Sequence, residues 1–289
     1  MKKMLEENTY SQSSWRMIIK RFKKHKLAVI SLCFLCIMVI LAIFAPVIAP
    51  YDPNKVTGSF GKPPTWEHWL GTDQIGRDML SRLLYATRCS LLVGFAATII
   101  STIIGVVLGL VSGYFGGIVD NIIMRITDTI MSFPYILLVL VVAAIFEPGL
   151  WNIILILGLV DWPGVARLVR GSVLSLRETD FVKGDIVAGM PKRYILFSEI
   201  LPNTIAPVLV YATTVFATSI LDEAALSFLG MGVQPPTASL GNILNGAESI
   251  TILTSKFWLW IPAGTIVILL VISINFIGDA LRDAVDPTA

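Results

Sequence analysis

Apolar residues along this chain do not alternate with polar ones. They gather into six blocks, at about 27–49, 89–111, 122–146, 150–168, 204–229 and 257–277, separated by polar segments. An α-helix rises about 1.5 Å per residue, so about 20 apolar residues cross a hydrocarbon layer roughly 30 Å thick. The pattern predicts an all-α integral membrane protein with six transmembrane helices. In the second block Gly105, Gly109 and Gly113 recur every four residues and give one helix face a smooth strip for close approach. Pro134 predicts a kink in the third.

The polar segments have patterns of their own. Between the fourth and fifth blocks, Leu176–Asn203 reads LRETDFVKGDIVAGMPKRYILFSEILPN. It predicts a pair of short amphipathic helices. Asp180 stands as the cap of the first, with Phe181, Val182, Ile186 and Val187 as its apolar face. Gly189 and Met190 end it. Pro191 suits the first position of the second helix, where its missing N–H needs no partner. Tyr194, Ile195 and Leu196 continue the apolar face, and Pro202 stops it. Such a pair either lies on lipid headgroups or fits a partner's groove. In the long loop of about 50–88, Asp73, Arg77, Asp78 and Arg82 alternate in sign at helical spacing. They predict an amphipathic helix over Gln74–Tyr85, paired within itself or touching an external protein.

Composition agrees with this division. The chain is 55% hydrophobic and 15% charged, with a mean hydropathy of +0.77. Soluble domains run at about 45–50% and about 25%. Orientation follows from the basic residues. Sixteen of the 22 Lys and Arg fall before the first block, after the second (Arg125, at the start of the third), around Leu176–Asn203, or after the sixth. This places both termini and Leu176–Asn203 in the cytoplasm and the 50–88 loop outside. Residues 1–26 form a basic cytoplasmic segment, with a short interfacial helix expected over Trp15–Phe22, and 27–289 form one membrane domain.

Candidate chemistry is sparse. Cys33 and Cys36 sit inside the first block with no second pair and no His beside them, as packing residues. His25 and His68 fall on opposite sides of the membrane, so no Ser-His-Asp or His-metal cluster forms. A phosphate-binding loop is absent: before Gly61-Lys62, Val56 stands where its first Gly is required, and Pro63 follows. The chain therefore reads as no enzyme, with no cofactor or metal of its own, and nothing in it suggests nucleic acid. Asp161, Asp222 and Glu223 are carboxylates in or near spans, where they are costly and often functional. Asp161, placed at the inner half of the fourth span, either lines a pathway or bonds a helix terminus. Asp222 and Glu223, towards the outer end of the fifth, either line an external cavity or cap structure at the interface.

The Leu176–Asn203 stretch resembles the cytoplasmic loop of ABC importer permeases, whose motif is E-A-A, three residues, G, nine residues, a hydrophobic residue, one residue and L-P. Gly189 lies twelve residues before Leu201-Pro202, as that motif requires. Lys183-Gly184-Asp185 replace E-A-A, and Glu199 stands where a hydrophobic residue or His is usual. Further segments resemble the C-type permease subunit of dipeptide, oligopeptide and nickel importers: HWLGTDQIGRDMLSRLLY (His68–Tyr85), WPGVARLVRGSVLSL (Trp162–Leu176), EAALSFLGMGVQPP (Glu223–Pro236) and NFIGDALRDAVDP (Asn275–Pro287). The resemblance implies a B-type permease partner, an external substrate-binding protein, and two ATPase subunits that hold ATP and Mg and dock on the coupling loop. It implies peptides as substrate, with nickel or a metal–chelator complex as the alternative. From a different class, an ion-coupled secondary transporter would show paired broken helices around a midplane ion site, and no inverted repeat is evident. The charges of Lys183, Asp185 and Glu199 predict compensating charges in the ATPase groove, with an acid facing Lys183.

Overall fold

A computed structural model describes residues 19–285. Residues 19–22 are helical, and the rest of the interfacial helix expected over Trp15–Phe22 lies outside the described residues, as do residues 286–289.

The fold is built around one long helix. Helix α1 (Lys26–Ile43) crosses first, ending in a short turn of helix at Ala45–Ile48. Helix α2 (Met79–Phe115) follows the long loop and packs on most of the other spans. Next come α3 (Gly117–Ser132) and α4 (Tyr135–Ile145), then α5 (Leu150–Val160) and α6 (Trp162–Arg177). Helix α7 (Asp180–Val187) is short. Helix α8 (Leu201–Phe228), the small helices α9 (Leu240–Asn245) and α10 (Ile250–Ser255), and α11 (Ile261–Val285) complete the chain. Two isolated bridges, Val56 with Arg77 and Thr72 with Asp78, are the β contacts among the described residues.

Five helical runs are long and apolar enough to cross a membrane, and α3 with α4 makes a sixth span if the bent pair is one crossing. The predicted kink at Pro134 is a break: α3 and α4 meet at 95°. Pro134 has no N–H to offer, and Phe133 before it is extended (φ −84°, ψ 145°). His25 Nε2 lies 3.7 Å from Asp283 Oδ2, so the start of α1 meets the end of α11 and both ends of the described chain share one side.

The glycine strip works as its spacing foretold. Gly105, Gly109 and Gly113 of α2 face Val165, Val169 and Val173 of α6 in turn. Both series step by four, so two helix faces stay in register for more than two turns.

The surface helix expected over Gln74–Tyr85 does not form. Residues 74–78 make a turn instead. Asp73 Oδ1 accepts the backbone N–H of Ile75 (3.1 Å) and of Arg77 (2.8 Å), and Gly76 has φ +84°. Helix α2 then starts at Met79, ten residues before the apolar block, because Asp78 caps it by accepting Ser81 N–H at 2.8 Å. The charges are folded inward: Asp78 and Arg82 are buried and Asp73 and Arg77 half-buried.

Candidate functional site

The Leu176–Asn203 stretch forms one free helix and an extension of the next span. Thr179 is the cap residue of α7 and Asp180 its first helical residue, so the helix starts one residue earlier than a cap at Asp180 would place it, with the Asp180 charge in the first turn. The other end is a Schellman motif. Gly189 adopts φ +73°, Met190 N–H donates to Asp185 C=O at 3.0 Å, and Gly189 N–H donates to Ile186 C=O at 3.1 Å. A side chain at residue 189 would meet no neighbour, so the glycine is there for its backbone conformation. Pro191 precedes the next helix rather than opening it (φ −65°, ψ 140°).

From Lys192 the chain runs through a π-helical segment, Ile195–Ile200, straight into α8. Pro202 therefore stops nothing. It sits in the first turn of α8, and the wider π turn before it takes up the bond its nitrogen cannot make.

This stretch has two faces. Val182, Ile195 and Ile200 are buried in one core with Leu110, Val169 and Val173. Phe181, Ile186, Val187, Met190, Tyr194 and Phe197 are exposed, Val187 by 89%. Of the predicted apolar face, only Val182 and Ile195 are thus fully buried, with Leu196 half-buried. So dense a set of exposed apolar side chains marks a contact surface or a lipid-facing one. Lys183 Nζ pairs with Glu178 Oε2 at 2.9 Å, so Lys183 finds an acid within its own chain. The hydrogen bond from Lys183 holds the Glu178 carboxyl below its ordinary value. Gly184 faces open space, Asp185 and Leu201 are half-buried, and Pro202 is exposed. Glu199, half-buried, uses its backbone C=O to accept Asn203 Nδ2 at 2.6 Å.

The base beneath this surface is braced by charge. Arg170 of α6 grips Asp120 of α3 through two bonds of 2.6 Å, and Asp120 also accepts from Ser112 of α2. Arg177 Nη1 donates to Gly113 C=O at 3.1 Å and lies over the Tyr114 ring, while Lys192 lies over Phe115. These bonds tie α6, α3 and the end of α2 together directly beneath α7. None of these braces was singled out from the sequence. The Arg170–Asp120 pair carries no local spacing signal.

The three membrane carboxylates divide into two groups. Glu223 is fully buried, accepting Ser90 Oγ at 2.5 Å and Ser227 Oγ at 2.7 Å, while Ser227 Oγ accepts Val233 N–H and Ser90 Oγ accepts Leu240 N–H. It ties the segment after α8 back to α2, which is the capping role. Its neighbour Asp222 points elsewhere, into electrostatic reach of Tyr135. Asp161, at the joint of α5 and α6, is also within reach of Tyr135 and of Asp222. The Asp161 side chain makes no helix-terminus hydrogen bond, and its Oδ2 and the Tyr135 hydroxyl are buried with no partner at hydrogen-bond geometry among the described residues. The joint divides a run over Leu150–Arg177, so Asp161 sits within that span rather than near its inner end. A cavity of about 210 Å³ opens beside Tyr135, Asp161, Gly164 and Tyr211. Sequence order could not show this meeting, which depends on the bend at Pro134. Among the described residues, no three His, Cys, Asp or Glu side chains are placed to hold a metal ion.

At the opposite end of α2, Asp73 and Arg77 pair at 2.7 Å, and Asp78 Oδ1 lies 2.9 Å from His68 Nδ1. These groups knit the loop to the helix start.

A bundle of broken and unbroken membrane helices, with polar groups inside and an apolar knob on a braced base, is the architecture of a membrane transport subunit. The chain belongs to the family of binding-protein-dependent transport system inner membrane components, whose profile matches residues 105–289. A second profile, the N-terminal TM domain of oligopeptide transport permease C, matches residues 13–64. The dipeptide transport system permease protein DppC of Escherichia coli is 45% identical, covering 92% of this chain and 90% of its own. The protein of the same name from Alkalihalophilus pseudofirmus is 41% identical over 98% of this chain and 92% of its own. A di/tripeptide transport system permease protein from Pseudomonas aeruginosa is 40% identical, with 92% and 89% covered. Among solved structures, a chain of the MetNI methionine ABC transporter in an inward-facing conformation superposes with a TM-score of 0.56 at 20% identity, covering 71% of this chain and 97% of that one.

Proposed function

We propose that this chain is half of the translocation pathway of an ATP-driven importer of short peptides. A homologous permease chain of the B type supplies the other half. An external binding protein delivers the peptide, and two separate ATPase subunits bind ATP and Mg on the cytoplasmic side. The 1–26 segment and both ends of the 27–289 membrane domain lie in the cytoplasm.

The observation that carries this reading is the two-faced stretch around α7. Its inner side is continuous with the core of the spans, and its outer side presents Phe181, Ile186, Val187, Met190 and Tyr194. Closure of the ATPase subunits would push this surface, and the Arg170–Asp120 brace would pass the push to α6 and α3. Peptides follow from the three relatives named for dipeptide or di/tripeptide transport. The test is uptake of a labelled dipeptide into vesicles holding this chain and its three kinds of partner. ATP-dependent uptake that needs all of them is expected. Uptake by this chain alone would refute the reading in favour of a self-sufficient carrier.

A further inference from the structure

Beside the first turns of α2 lies a cavity of about 190 Å³, lined in part by Asp73, Gln74, Arg77, Arg82, Asn242 and Gly246. Its charges do not balance. The Arg82 side chain is only 4% exposed, and its Nη1 is buried with no hydrogen-bond partner among the described residues. Its Nε reaches Asp73 Oδ2 only at 3.6 Å. Asp73 is already used: Oδ2 accepts Arg77 Nε at 2.7 Å, and Oδ1 accepts two backbone N–H groups. The next carboxylate, Asp78, is used as well. Its Oδ1 pairs with His68, and its Oδ2 accepts the Ser81 N–H and hydroxyl. Two guanidinium groups thus share one carboxylate, and a donor of the more buried one is unmet.

A buried charge without full compensation is costly, and a guanidinium fork is matched in shape by a carboxylate. Water would satisfy the donor but leave the extra positive charge. We propose that this cavity is a carboxylate-binding site, anchored by Arg82 with Arg77 as the second cation. The carboxylate comes either from an acidic side chain of an external protein seated here or from a free small acid. The site stands apart from the coupling surface; its affinity for a carboxylate holds without the transport reading, and only the assignment of that carboxylate to the external binding protein rests on it.

Gln74 lines the cavity, is exposed, and donates to Gly246 C=O at 3.1 Å. Gln74→Glu places a tethered carboxylate there, and Gln74→Leu removes the same hydrogen bond without adding charge. The measurement is the unfolding midpoint of the full chain in nanodiscs as acetate replaces chloride at fixed ionic strength. Wild type and Gln74→Leu should rise saturably with acetate. Gln74→Glu should start higher than Gln74→Leu and show no acetate response. No acetate response in wild type, or an equal response in Gln74→Glu, overturns the proposal. Capture of the external binding protein is then measured with and without acetate. Competition assigns the carboxylate to that protein, and capture indifferent to acetate assigns it to a free acid.

Discussion

A Cβ added to Gly109 would sit 2.7 Å from the Cβ of Val169, closer than side-chain atoms pack. The backbones of α2 and α6 touch here through bare glycine, and at Gly113 a Cβ would sit 2.8 Å from Val173 in the same way. Gly109→Leu must therefore separate the helices or distort them. Overpacking of this kind costs about 1–3 kcal/mol. Thermal unfolding in nanodiscs should show a clear drop for Gly109→Leu. Gly171→Ala, where an added Cβ meets nothing within 4 Å, should leave the midpoint near that of wild type.

Glu223 and Asp222 are adjacent in sequence and opposite in consequence. Glu223→Ala leaves the buried hydroxyls of Ser90 and Ser227 without their acceptor, at about 1–3 kcal/mol. A lower unfolding midpoint is expected. Asp222→Asn keeps the shape of the side chain and removes its charge beside Tyr135. Transport is expected to fall several-fold with little change in midpoint. A large loss of stability in Asp222→Asn would make it a structural residue like its neighbour.

Gly189 tests the end of α7. With φ at +73°, a β-branched residue there is strained by about 1–2 kcal/mol although space is free. Gly189→Val should reduce transport and the stimulation of ATP hydrolysis, and Gly189→Asn should be milder, since Asn tolerates this conformation. Equal, full activity in both would detach the turn from function.

The Arg170–Asp120 pair should couple in a double-mutant cycle. Arg170→Met and Asp120→Leu each leave a partly buried charge unpaired, while the double variant leaves neither charge, and the Ser112 hydroxyl loses its acceptor equally in both Asp120 variants. The double variant should be more stable than the sum of the single losses implies, as read from unfolding midpoints. Strict additivity would mean the pair braces nothing.

These residues also show where sequence reading reached and where it stopped. The six apolar blocks and the step of four from Gly105 to Gly113 are local repeats, and local repeats set helices and helix faces directly. Gly189 was legible because a single backbone conformation demands it. The turn at Asp73–Asp78 was not, because charges at helical spacing also suit a turn whose carboxylate accepts backbone N–H groups. Pro202 read as a stop because the π segment that accommodates it has no sequence pattern of its own. The meeting of Asp161, Tyr135 and Asp222 depends on the 95° break at Pro134, and no spacing rule carries an angle.

On the proposed function, the exposed surface of α7 receives force from a separate ATPase. Val187, 89% exposed, contributes nothing to the core, so Val187→Asp alters that surface and leaves the bundle intact. The measurement is ATP-driven dipeptide uptake in vesicles with all partners present, for wild type and Val187→Asp at matched unfolding midpoints. Uptake should fall at least tenfold in the variant and should vanish for wild type when the ATPase subunits are left out. Wild-type uptake by Val187→Asp, or uptake that persists without the ATPase subunits, would contradict the account.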